Sequence, residues 1–202
     1  MSFKQSKIAE GVPPPLQRTP VGSVQGKFGK GSIEYLGIRY ASLEHRLVKP
    51  KVIEYARPET LDATKHGPPV VTPAGAIELE QSFIQQPFQN FGLPPMSDTE
   101  GLNLNITVPL NGGKDLPVLV YIHGGGFQFG SGTYSHYDQG KVVDLTSSVE
   151  KPIVAVNFSY RLGAPGWLFS NELGDAGIKA NRGLKDQVAA LTWVKIYFWI
   201  WW

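Results

Sequence analysis

The chain has 202 residues, 42% hydrophobic and 18% charged, enough to bury a good-sized core and far from a disordered composition. Its formal charge is +2, with no Lys/Arg block, no interleaved basic and aromatic patch and no zinc-knuckle spacing, so no nucleic-acid partner is expected. It contains no cysteine, which removes disulfides, thiolate metal sites and Cys nucleophiles, and its first residues (MSFKQSKIAEGVPPP) lack an apolar run after the lysines; the expectation is a cytoplasmic protein without a signal peptide.

Residues 1–20, with Pro13, Pro14, Pro15 and Pro20, read as an extended leader. In residues 21–41 (VGSVQGKFGKGSIEYLGIRYA) short β-prone runs are divided by Gly-rich turns, which predicts an antiparallel hairpin or meander. Residues 42–101 carry Pro58, Pro68, Pro69, Pro73, Pro87, Pro94 and Pro95 with no sustained period, the mark of a long irregular excursion lying against the rest. Its Phe83, Phe88 and Phe91 are candidates either to line a substrate gorge or simply to plug the loop onto the domain.

Regular structure resumes with residues 102–108 (LNLNITV), an alternating strand, and with the continuous apolar runs 116–122 and 152–158, which suit a sheet covered on both faces. The later chain is therefore α/β in character. Asn181 is a plausible N-cap for a helix from about Arg182, with Leu184, Val188, Leu191 and Lys195 at helical spacing and Asp186 in the first turn. That helix is expected to end near Val194. Residues 195–202 (KIYFWIWW) hold three of the five tryptophans and are set apart as an atypical hydrophobic tail. The apolar run 189–202 is interrupted by Lys195 and is shorter than the roughly 20 residues of a membrane span, so none is expected.

The stretch 117–127 (PVLVYIHGGGF) runs a strand into three consecutive glycines. A tight turn with close packing is one reading. A phosphate cradle is a second, although neither G-x-x-x-x-G-K-[ST] nor G-x-G-x-x-G fits residues 124–132. The third is an oxyanion hole of the HGGG type, in which backbone N–H groups point at the oxygen that becomes negative in acyl transfer and Gly lets the tetrahedral intermediate come close.

Several separated phrases, in order, resemble type B carboxylesterases, the cholinesterase-like branch of the α/β-hydrolase fold. They are residues 37–41 (GIRYA), 100–105 (EGLNLN), the glycine loop at 120–130, 157–168 (NFSYRLGAPGWL) and 181–194 (NRGLKDQVAALTWV). The lipase branch that also uses HGGG would favour Y-R-L-A-P-E where this chain has YRLGAP, and it lacks the 181–194 phrase. The resemblance implies an α/β-hydrolase fold with an N-terminal antiparallel β meander, residues 21–194 forming the N-terminal part of the esterase domain, and a small carboxylic ester as substrate. It implies that the amides of Gly125 and Gly126 build the oxyanion hole, that Phe127 faces the acyl group, and that no cofactor or metal is needed. His123 is taken as a loop-shaping side chain, and Arg161 and Asp186 as a buried pair. Gly101 stands where secreted members carry a disulfide cysteine, and no partner cysteine occurs near residues 66–72.

The nucleophile elbow G-x-S-x-G is absent; the nearest serines, Ser32 and Ser131, lack its flanking pattern and its strand-to-helix setting. The resemblance places the nucleophile, acid and histidine beyond these residues, so the sequence reads as a fold truncated before the elbow and inactive alone. The alternative is a non-catalytic member of the same fold that binds proteins.

Overall fold

The computed structural model describes residues 15–19, 22–55, 60–84, 88 and 92–201; most of the expected leader, and Phe91, lie outside the described residues. The Gly-punctuated start forms two antiparallel pairs. β1 (Leu16–Thr19) pairs with β2 (Gly22–Gln25), and β3 (Lys27–Phe28) pairs with β4 (Ser32–Arg39). The two pairs part at Gly26 and enter different sheets. The end of the expected leader is thus a paired strand.

The proline-rich stretch holds only β5 (Ala41–Ser42), β6 (Lys51–Val52), β7 (Thr60–Asp62) and α1 (Ala76–Ser82) as regular elements. β7 joins β2 in parallel, and β5 pairs with β6. The irregular parts are tied down singly, by Asn103 Nδ2 donating to Pro68 O at 2.8 Å and Ser97 N–H donating to Pro69 O at 2.9 Å. Gly101 lies directly on Val70, where a Cβ would sit 2.8 Å from the Val70 Cα. With no cysteine in the chain, packing and hydrogen bonds hold this excursion.

The main sheet adds β8 (Asn103–Pro109), β9 (Val118–Ile122) and, after the helix α2 (Gly140–Ser148), β10 (Val154–Phe158), in the order β3-β4-β8-β10-β9. β9 and β10 run parallel through the α2 crossover; the other neighbours are antiparallel. Every residue of β8 and β10 is buried, so the polar face of β8 is covered as fully as its apolar face. The apolar run of β9, expected to be covered on both faces, instead stands at the sheet edge with Val118, Leu119 and Ile122 exposed, because among the described residues only β10 flanks it. The β4–β8 register shifts between Tyr35 and Ile38, where Gly37 takes φ 68 and its N–H donates to Asn105 Oδ1 at 3.0 Å. A bulge of that hand needs glycine.

Three helices close the described chain: α3 (Gly163–Trp167), α4 (Asn171–Asp175) and α5 (Arg182–Trp201). α5 begins where the N-cap pattern predicts but does not end near Val194. Its buried face continues through Trp193 to Tyr197, whose ring lies 4.8 Å from Trp193 and whose hydroxyl donates to Ile53 O at 3.1 Å. The periodic set Leu184, Val188 and Leu191 marks the helix correctly but faces outward, while Asp186, Ala189, Ala190, Trp193 and Val194 point to the core. Asp186 falls past the first turn and is spent on an ion pair instead of the helix dipole.

Candidate functional site

β9 ends at Ile122, and the chain enters the glycine loop through His123, which is buried. Its Nδ1–H donates to Gly124 O at 3.0 Å and its ring stacks on Tyr160 at 4.4 Å, while the Tyr160 hydroxyl donates to His123 O at 2.9 Å. Burial lowers the imidazole pKa and keeps the ring neutral. A neutral ring whose Nδ1 carries the proton is a donor to the loop and no general base at that atom. Gly130 makes room for it: a Cβ there would lie 2.4 Å from His123 Nδ1. The loop-shaping reading of His123 fits this geometry.

The next four residues form a tight turn closed by Gln128 N–H donating to Gly125 O at 3.0 Å. Gly125, Gly126 and Phe127 all have positive φ, at 101°, 60° and 61°. Positive φ at both central residues, Gly126 and Phe127, is the mirror-image turn that suits glycine. Phe127 bears the conformation without a glycine's freedom and is held there by Gly163 N–H donating to its carbonyl at 2.7 Å and by Trp167, whose ring lies 4.2 Å away. The two glycines differ. A Cβ at Gly125 would sit 2.0 Å from Phe129 O, whereas one at Gly126 would meet nothing within 4 Å. Among the described residues neither Gly125 nor Gly126 has a protein acceptor for its N–H. Unpaired donors in a fixed turn beside open space are suited to an oxygen that gains negative charge.

The return of the loop rests on a polar platform that the alternation of residues 102–108 did not identify. Asn105 Nδ2 donates to Gly132 O at 3.0 Å and to Asn157 Oδ1 at 2.9 Å, and Asn157 Nδ2 donates to Tyr137 O at 2.9 Å. Ser159 Oγ accepts from Gly132 N–H at 3.0 Å. Asparagine is disfavoured in strands, so two of them facing each other across β8 and β10 were the available signal. On the other side α1 is joined to the loop by Glu80, which accepts from the Tyr137 hydroxyl and lies 3.3 Å from His136 Nε2. Phe88 packs on His136, the plugging role, while Phe83 is largely solvent-exposed.

Arg161 and Asp186 form the buried pair that the resemblance implies. Arg161 Nε and Nη2 donate to the Asp186 carboxylate at 2.8 and 2.7 Å, and Nη1 donates to the carbonyls of Arg46 and Val48. Arg161 is two residues from Gly163, so this pair ties α5 to the segment that holds Phe127. A second buried guanidinium, Arg182, gave no sequence signal. It donates to the carbonyls of Ala164, Pro165, Leu168 and Lys179, satisfying the C-terminal end of α3. Ser32 and Ser131 are both fully buried, and Ser131 Oγ is shared with Thr133 and Ser159. Neither is placed as a nucleophile.

Comparison with known proteins agrees with the fold. The model of the carboxylesterase family matches residues 13–197. The para-nitrobenzyl esterase of Bacillus subtilis is 32% identical over 180 residues, covering 88% of this chain and 33% of the relative. A pyrethroid hydrolase of Mus musculus is 35% identical over 199 residues, 90% of this chain and 32% of its own. Among solved structures, a thermophilic para-nitrobenzyl esterase superposes with a TM-score of 0.72 at 31% identity, over 91% of this chain and 35% of that one. A carboxylesterase of Geobacillus stearothermophilus gives 0.68 at 31%, over 92% and 35%. The chain spans about a third of the length of these relatives. Across nearly its whole length, the chain belongs to the type B carboxylesterase family of the α/β-hydrolase fold.

Proposed function

We propose that this chain supplies the oxyanion-hole part of a carboxylic ester hydrolase, with the Gly125 and Gly126 N–H groups stabilising the negative oxygen of the tetrahedral intermediate and Phe127 beside the acyl group. The observation that carries the reading is the pair of unpaired amides in a fixed positive-φ turn. The substrate is a neutral carboxylic ester, and no residue here is assigned to hold a metal or cofactor. The absence of cysteine favours a reducing, cytoplasmic setting.

Without G-x-S-x-G the chain has no activated serine to attack an ester, so residues 1–202 alone are inactive. The test is a chimera in which residues 13–197 replace the matching segment of the Bacillus subtilis para-nitrobenzyl esterase. It should hydrolyse p-nitrophenyl esters, whereas the isolated chain should not exceed the buffer rate. Turnover by the isolated chain, or a folded chimera with none, would contradict the reading.

A further inference from the structure

The proline-rich excursion sends one acid inward. α1 keeps Glu78 on its exposed side but turns Glu80 into a box of rings, where the Glu80 and His136 side chains are only 11% and 4% exposed. One Glu80 oxygen accepts from the Tyr137 hydroxyl and lies 3.3 Å from His136 Nε2; the other is buried with no hydrogen-bond partner among the described residues. The rings of Phe88, Tyr134 and Tyr137 stand around His136 at 5.9, 5.6 and 4.3 Å. A buried carboxylate with half of its capacity unused costs stability. Its position therefore calls for a reason other than holding α1 in place.

From Glu80 a path of rings leads to the glycines. Tyr137 lies 5.2 Å from Tyr121 of β9 and nearly parallel to His123 at 6.2 Å, and His123 stacks in turn on Tyr160 at 4.4 Å. His123 donates to Gly124 O, so this stack of three rings ends on the residue that opens the turn. The Tyr137 carbonyl accepts from Asn157 Nδ2 and Gln139 Nε2, which fixes its backbone and leaves the ring to be set by its hydroxyl. Burial, and then the hydrogen bond to Glu80, push the Tyr137 phenol well above its usual range, so it stays protonated and donates. A hydroxyl bonded to a carboxylate is held about twice as strongly as one bonded to a neutral acceptor. The Glu80 charge also reaches His123: burial lowers the pKa of that ring, and Glu80 acts in the opposite sense. We propose that Glu80 is a positioning residue for the oxyanion turn, acting through the Tyr137 hydroxyl to fix the ring stack that aims the Gly125 and Gly126 amides. It touches none of the reacting atoms. The inference rests on the ester reading and deepens it, giving α1 a part in the geometry of that site.

In the native chain, Glu80→Ala and Tyr137→Phe should move the amide resonances of Gly124, Gly125 and Gly126 in the same direction, whereas Glu80→Gln, which keeps an acceptor in place, should leave them near their native positions. In the chimera carrying residues 13–197, Glu80→Ala and Tyr137→Phe should each lower kcat by about 10-fold or more with KM unchanged, since a misplacement of about 1 Å can cost about 10²-fold. The double variant should be no slower than either single one, because both cut the same path. Glu80→Gln should recover most of the rate, and Glu78→Gln should leave it unchanged. The two readings fail separately. An undiminished kcat in Gly126→Val overturns the oxyanion reading, and the glycine resonances still decide the positioning. A Gly126→Val loss without any loss in folded Glu80→Ala and Tyr137→Phe overturns the role of Glu80. So do additive losses in the double variant, or glycine resonances unmoved in the folded single variants.

Discussion

The glycine loop assigns different work to adjacent residues, and substitution should separate them. Gly125 is required by sterics, since its Cβ would overlap Phe129 O at 2.0 Å. Gly126 has space around it, and only its φ of 60° opposes a side chain. Gly126→Ala should cost about 1–2 kcal/mol, the ordinary left-handed penalty, while Gly125→Ala should cost more than that by displacing the turn. Chemical denaturation measures both, and equal costs would contradict the assignment. The histidines make a second prediction. Burial holds His66 at a pKa of about 4 and also lowers His123. The unfolded chain, with imidazoles near about 6.5, binds more protons than the folded one between those values. The His66 contribution is therefore complete above about pH 6.5 and is lost as pH falls toward 4, a change on the order of 3 kcal/mol. His66→Gln should flatten that part of the stability–pH curve; an unchanged curve would show that His66 titrates normally in the fold.

At the scale of elements, α5 is anchored by charge as much as by its apolar face. Asp186→Asn leaves the Arg161 guanidinium buried without its counterion, and loss of one partner from such a pair costs about 3–5 kcal/mol. A measured loss below about 1 kcal/mol would mean that the carbonyls of Arg46 and Val48 suffice. α5 also shows what could be read from sequence and what could not. Its existence and start were legible in the cap and the spacing, because those are local. Which face it buries was not, since the outward Leu184, Val188 and Leu191 are as apolar as the inward residues and only the partners distinguish them. The same holds for β9, whose apolar run reads as interior although among the described residues its position is an edge. The glycine loop was legible because its residue types are dictated by backbone geometry, a local constraint. Arg182 and the Asn105–Asn157 platform were not, because their partners are backbone carbonyls and a side-chain amide that folding, not local spacing, brings to them.

At the scale of the whole molecule, the described chain is a scaffold for one turn. The sheet delivers β9 to the glycines, the Asn105 platform fixes the loop's return, and the Arg161–Asp186 pair holds the segment that grips Phe127. The chain spans about a third of the length of its relatives. The central claim is that the Gly125 and Gly126 amides are oxyanion donors, and the most direct measurement is kcat for p-nitrophenyl ester hydrolysis by the chimera carrying residues 13–197, with Gly126 and with Gly126→Val. A side chain at the open position displaces the oxyanion from its donors, so kcat should fall by about 10²-fold or more in a variant that still folds. A folded Gly126→Val chimera with undiminished kcat would contradict the account.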